Sequence, residues 1–206
     1  MRVGIVGGTG PFGRALATRL RAAGHDVVVG SRDRGRAEAA ALELGVGAAT
    51  NPEVVRAVDL VVLATNADGV LDTARSLRTE IGSTPLLSVA SELRFTQGGV
   101  LPSPDARSLA ERLQDEVDAS VLAGLHSLAA ASLGDELAPD EDAFVCGDDA
   151  VAKERALELA AGLVAGRALD AGPLASARAL EGLTAVIVNL NKRYRAHAGI
   201  RVTGLP

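Results

Sequence analysis

The segment "GIVGGTGPFGRAL", Gly4 to Leu16, narrows the choice of fold more than any other stretch of the chain. A short apolar run, Arg2 to Gly7, enters a turn with Gly8, Gly10 and Gly13 in G-x-G-x-x-G spacing, and a helical pattern from Pro11 to Ala23 leaves it. Glycines so spaced allow a tight turn, close approach of backbone to a ligand, and close packing of helix on strand. The helix start adds unbonded N–H groups and a partial positive charge, the combination that holds a pyrophosphate. Pro11 has no N–H to give, so the predicted donors are Thr9, Gly10, Phe12 and Gly13. A glycine-rich turn without a ligand is the plainer alternative, and the strand–turn–helix context argues against it.

The rest of the chain repeats the alternation. Asp26 to Gly30 precedes a helical pattern from Arg34 to Leu44, a weaker strand lies near Val46 to Thr50, and "DLVVLA" (59–64) suits burial on both faces. "TPLLSVA" (84–90) and "SVLAGLH" (120–126) follow as strands. Between them the polar "SELRFTQGGVLPS" (91–103) reads as a loop or lid, and Ser103 with Pro104 as cap and first turn of a helix ending near Val117. From Ala143 come a strand "AFVC", a helix Ala150 to Ala165, a strand "RALDAG" and a long helix from about Leu174. The order predicts an α/β protein: a Rossmann-type doubly wound, mainly parallel sheet over residues 1–140, with a small C-terminal α/β portion over 141–206 packed on it rather than standing alone. Leu180, Leu183, Val186, Ile187 and Leu190 stripe the last helix; packing on the sheet accounts for part of that stripe, and a homodimer interface is the other reading.

Composition removes several function classes. The 206 residues carry a net charge of -5, so broad electrostatic binding of nucleic acid is not expected, and 2% aromatic residues supply few platforms for stacking bases. Cys146 is the only cysteine, which excludes an intrachain disulfide and a cysteine-rich metal site. The first residues form no basic leader, and no stretch reaches the roughly 18 apolar residues of a membrane span. A cytoplasmic protein is the expectation.

The end of the second strand bears on which dinucleotide is held. An acidic residue about 20 positions beyond the glycine turn marks NAD sites, where it accepts from the adenosine ribose. Here stand Ser31 and Arg32, then Arg34 and Arg36. Serine can donate to a 2′-phosphate, and a guanidinium grips it through a planar fork, so NADP is favoured. Asp33 comes after the acidic position and reads as a helix cap; Arg34 reads as a solvated helix start.

Taken together, "MRVGIVGGTGPFG", "GHDVVVGSR", "VLAGLHSLAA", "FVCGDD" and "ALDAGPLASARALEGLT" resemble the NADPH-dependent reductases of coenzyme F-420 (F420), a deazaflavin, almost from end to end. The resemblance implies reversible hydride transfer between the nicotinamide C4 of NADP(H) and C5 of the deazaflavin, with no catalytic nucleophile and no metal. It places the pyrophosphate on Thr9, Gly10, Pro11 and Phe12, and the 2′-phosphate on Ser31, Arg32 and Arg36. Ala64, Thr65, Asn66, Val89 and Ala130 would border the nicotinamide half. His126 would stand beside the deazaflavin or serve as a structural histidine. Lys192, Arg193, Arg195 and Arg201 would receive the acidic tail of that coenzyme or remain solvated. Asp148 and Asp149 read as helix capping, and Glu181 as a solvent-facing residue. The chain departs from the family pattern at Asn66, Ala67 and "SVASELRF" (88–95). An NADPH-dependent reductase of an imine, flavin or ferric chelate, and a non-catalytic NADP(H)-binding sensor, are the alternative readings.

Overall fold

A computed structural model of the chain describes residues 1–205. Among these, ten strands and eight α-helices alternate in the order β1 (Arg2–Val6), α1 (Pro11–Ala22), β2 (Asp26–Ser31), α2 (Arg34–Leu44), β3 (Gly47–Thr50), α3 (Asn51–Val54), β4 (Leu60–Leu63) and α4 (Ala67–Ile81). There follow β5 (Leu86–Ser88), β6 (Leu93–Thr96), β7 (Gly99–Pro102), α5 (Leu109–Gln114), β8 (Val121–Gly124) and α6 (Ala130–Gly134). Last come β9 (Ala143–Gly147), α7 (Ala150–Ala161), β10 (Ala168–Asp170), a 3-10 turn (Leu174–Ser176) and α8 (Ala177–Tyr194).

Eight strands form one sheet in the order β3-β2-β1-β4-β5-β8-β9-β10. From β3 to β8 every pairing is parallel; β9 runs antiparallel to β8, and β10 parallel to β9. This is a doubly wound Rossmann sheet with a reversed two-strand extension, and it carries strands from both sides of residue 140. The direction of winding changes between β1 and β4, the position where such sheets open a crevice at their carboxyl ends.

The strands that flank this crevice are apolar on both sides because both are covered. Val3, Ile5, Leu60 and Val62 pack with Leu16 and Leu20 of α1, while Val61 and Leu63 pack with Val70, Leu77 and Ile81 of α4 on the opposite face. Helix ends follow local chemistry. Pro11 opens α1 at its first position, and the Asp33 carboxylate accepts from the Arg36 N–H at 2.8 Å to cap α2. Gly45 closes α2 in the left-handed conformation at φ 65°.

Four segments differ from the sequence reading. The loop 91–103 contains a hairpin, β6 and β7, joined through Gln97 and Gly98. No helix starts at Ser103; α5 begins after Ser108, whose hydroxyl accepts from the Glu111 N–H at 3.0 Å while the Glu111 carboxylate returns to the Ser108 N–H at 2.7 Å. That reciprocal capping box settles the start, because Ser103 and Pro104 lack a glutamate three residues on. Helix α7 stops at Ala161 rather than Ala165, since Gly162 follows. The final helix proper begins at Ala177, behind the 3-10 turn.

Candidate functional site

A cavity of about 730 Å³ opens at the carboxyl edge, between the β1 turn, the end of β2 and the loop after β4. Thr9, Gly10, Ser31, Arg32, Arg36, Ala64, Thr65 and Asn66 all line it, so eight of the sequence-predicted site residues meet around one cavity. Gly7, Asn51, Asp68, Gly69 and Thr73 line it as well. Gly8, Pro11, Phe12, Gly13, Val89 and Ala130 are outside this lining.

The glycines divide into two groups by what a side chain would meet. At Gly8 a Cβ would sit 2.7 Å from Val29 Cβ, and at Gly13 it would sit 2.7 Å from the Gly7 carbonyl oxygen. These two are fixed by the protein's own packing. Gly7 supplies the turn, with φ +81° and a Cβ position only 2.8 Å from the Ala64 oxygen. The first residue of the Gly7–Gly8 doublet is thus the one the spacing rule overlooks. At Gly10 the nearest atom is 3.5 Å away, and the residue faces the cavity. Internal packing does not demand a glycine there, whereas close approach of a ligand does.

The turn also sorts its donors. Gly8 donates to the Ile5 and Gly30 carbonyls at 3.2 Å each, and Gly10 donates to Gly7 at 3.1 Å. The Gly10 N–H is therefore spent within the turn, contrary to the sequence expectation. Phe12 and Gly13, at the second and third positions of α1, have N–H groups for which the helix has no acceptor. The helix end thus keeps its positive character toward the cavity.

Charge at the rim is set by which arginines are already paired. Arg34 pairs with Glu53, whose carboxyl is held at about 2, first by the Thr50 backbone N–H, then by the Thr50 hydroxyl and Arg34. Asp33 is occupied with capping α2, as its position suggests. Arg32 and Arg36 form no ion pair among the described residues, and both are exposed beside the nearly buried Ser31. Two free guanidiniums and a hydroxyl therefore face one end of the cavity, a donor set suited to a phosphate dianion. Asn51, at the start of α3, adds a buried amide whose Oδ1 has no partner among the described residues.

A second cavity, of about 410 Å³, adjoins the first along Thr65, Asn66 and Asp68 and runs under the hairpin, where Ala90, Ser91 and Phe95 line it. Phe95 is 69% exposed, and the Lys192 ammonium lies 5.5 Å from its ring centroid. Asn189 of α8 binds the hairpin as a strand would: its Oδ1 accepts from Val100 N–H at 2.9 Å and its amide donates to the Val100 carbonyl at 2.7 Å.

His126 is buried at the end of β8, and neither ring nitrogen has a hydrogen-bond partner among the described residues. Burial pushes its pKa down to about 4, so the ring is neutral near pH 7. It follows Leu125, held at φ 64°, a strained conformation for leucine. Of the tail-binding candidates, Arg201 is committed to Asp140 at 2.7 Å, whereas Lys192 stands by the hairpin.

The remaining polar residues singled out in the sequence have structural roles. Asp149 caps α7 by accepting from Ala152 N–H at 2.9 Å, and Asp148 accepts from Leu174 N–H at 3.0 Å. Glu181 does not face solvent. It is 4% exposed and accepts the N–H groups of Leu109 and Ala110 at 3.0 and 3.1 Å, with its pKa raised by burial. Two orphan donors at the start of α5 explain why a carboxylate is tolerated inside. Cys146 is buried, its thiol pushed up to about 12, and no group of three or more metal-ligating side chains exists among the described residues.

Comparison with known proteins adds four observations. Residues 2–92 match the family described as NADP oxidoreductase coenzyme F420-dependent. The F420-dependent NADP reductase of Methanothermobacter thermautotrophicus is 33% identical, over all of this chain and 96% of that protein. A crystal structure of a putative F420-dependent NADP reductase from Arthrobacter sp. FB24 superposes with a TM-score of 0.86 at 26% identity, covering 99% of this chain and 100% of that one. The Streptomyces aurantiacus imine reductase, at 22% identity and a TM-score of 0.65, shares the fold, this chain spanning 62% of it.

Proposed function

Since this chain belongs to the coenzyme F420-dependent NADP oxidoreductase family, we propose that its carboxyl-edge cleft exchanges hydride reversibly between NADP(H) and F420. The observation that carries the NADP half is Arg32 and Arg36, without an ion pair among the described residues, beside Ser31 in the lining of the same cleft as the glycine turn. Phe12 and Gly13 N–H groups meet the pyrophosphate, with Thr9 and Pro11 shaping the turn. Gly8 and Gly13 keep helix and strand close enough for this to happen, and Gly10 leaves room for the ligand. Ala64, Thr65 and Asn66 guide the nicotinamide toward the cavity under the hairpin, with Val89 and Ala130 bordering the same half of the cofactor.

NADPH supplies a hydride from C4 of its nicotinamide, and F420 accepts it at C5. The chain's own task is to hold two ring systems face to face and keep water from between them, so that much of the rate comes from positioning. The neutral His126 and the hairpin bound the second ring. Lys192, with Arg193 and Arg195 near it in sequence, attracts the acidic tail.

Residues 141–206 work in the same unit as 1–140 rather than as an independent domain. The protein acts in the cytoplasm as a homodimer through α8, a reading supported by Val186, Leu190 and Tyr194, exposed at helical spacing on one side of that helix. Sedimentation of the purified protein at a dimer's mass, shifted to the monomer by Leu190→Asp, is the corresponding check. The function itself is tested by mixing the protein with NADPH and oxidised F420. Bleaching of the deazaflavin absorbance is expected, and no change at saturation would exclude the assignment. Turnover only with an imine, a flavin or a ferric chelate would move the chain to another acceptor.

A further inference from the structure

Ser91 lines the cavity under the hairpin, and its hydroxyl has a fixed polarity. Its Oγ lies 2.7 Å from Thr184 Oγ1 of α8. Thr184 Oγ1 in turn donates to the main-chain carbonyl of His126 at 3.0 Å. A carbonyl can only accept, so the single hydroxyl proton of Thr184 is committed to His126. Thr184 must then accept from Ser91, and the single Ser91 proton is committed as well. Toward the cavity the Ser91 hydroxyl can offer lone pairs and nothing else.

We propose that Ser91 is a positioning residue that accepts an amide-type N–H from a ring system in this cavity, and that Thr184 and the His126 carbonyl impose that polarity. The inference rests on the NADP(H)/F420 reading, under which two rings meet here and each carries such a donor: the carboxamide of nicotinamide and the imide of the deazaflavin. Of the neighbouring Glu92 carboxylate, Oε2 already accepts from the Ser103 hydroxyl at 2.5 Å and from Arg112 at 2.7 Å. A ring that presents only acceptors at this point would set lone pair against lone pair, so the relay selects as well as orients.

The relay also explains why a threonine sits inside α8, where β-branched polar residues are not favoured. Thr184 joins three separate segments, the start of the hairpin loop at Ser91, the strained end of β8, and the helix itself.

Two measurements on four proteins decide the matter: the NADPH Kd by nicotinamide fluorescence and the F420 KM in steady state, for wild type, Ser91→Ala, Thr184→Val and Thr184→Ser. Loss of one neutral hydrogen bond corresponds to roughly three- to tenfold in affinity. Ser91→Ala and Thr184→Val are expected to raise one of the two constants by that factor, with Thr184→Ser close to wild type because it keeps the hydroxyl. A rise confined to the F420 KM identifies the imide as donor; a rise in the NADPH Kd identifies the carboxamide. Unchanged constants in Ser91→Ala overturn the proposal, and so does a Thr184→Ser variant as impaired as Thr184→Val. Should Ser91→Ala fold poorly, the Thr184 pair decides alone. A wild-type protein inert toward F420 refutes the function reading instead, and the NADPH arm then still judges Ser91.

Discussion

Replacing Arg32 by alanine should weaken NADPH binding about tenfold and leave NADH binding unchanged. Only NADPH carries the 2′-phosphate, and only Arg32 and Arg36 of the arginines at this corner lack an acidic partner among the described residues. A hydrogen bond to a charged group contributes about 1.5–3 kcal/mol, and exposure to solvent places Arg32 at the weaker end of that range. About 1.4 kcal/mol is one decade in Kd. Removing Arg36 too should bring the loss near a hundredfold, since the two guanidiniums act on the same dianion. Arg34→Ala is the control: its side chain already pairs with Glu53, so NADPH affinity should not move. The assay is fluorescence titration of each variant with NADPH and NADH at two ionic strengths. Screening over about 10 Å at 0.1 M salt predicts that added salt weakens wild-type NADPH binding more than that of Arg32→Ala. Equal losses for NADPH and NADH, or an Arg34→Ala defect as large as that of Arg32→Ala, would refute this account of the corner.

Other perturbations separate ligand-driven from packing-driven positions. Gly10→Ala should reduce NADPH affinity by a decade or more with little change in Tm, whereas Gly13→Ala should lower Tm sharply, because its Cβ would meet backbone at 2.7 Å; similar Tm values for the two would contradict the division. Glu181→Ala leaves the Leu109 and Ala110 N–H groups without acceptors and should cost about 2–6 kcal/mol, at roughly 1–3 kcal/mol per buried unsatisfied donor, measured by denaturant unfolding. Glu141 is 4% exposed with its pKa raised by burial to about 7, against 4.5 for an ordinary glutamate. Between those two values the unfolded chain has lost this proton and the folded chain keeps it, so the Glu141 contribution to stability falls as pH rises from about 4.5 to 7. Glu141→Gln should flatten that slope; an unchanged pH profile would show that the residue titrates normally.

What is legible in the sequence follows how local the governing interactions are. The β1 turn, the apolar runs of β2 and β4, and the Ser31–Arg32 corner are each settled within a few residues, and their placement around one crevice follows from parallel winding. Glu181 is not legible: on an amphipathic helix it looks like any solvent-facing glutamate, and the donors that draw it inward come from positions 109 and 110. Asn51 carries no signal because its role depends on where β3 ends relative to β2. The hairpin is obscured for a different reason, in that two four-residue strands on the surface need little apolar content to pair. Ser103 and Ser108 present the same cap chemistry, and the glutamate at 111 alone distinguishes them.

Helix α8 holds the segment 91–102 in two places, through Thr184 to Ser91, which lines the second cavity, and through Asn189 to Val100 of the hairpin, while Val186, Leu190 and Tyr194 are exposed. Those inward and outward contacts interleave within about three turns of one stiff rod. The face left open on α8 and the contacts that hold Ser91 and Val100 therefore belong to one rigid element, as two sides of a beam share its stiffness.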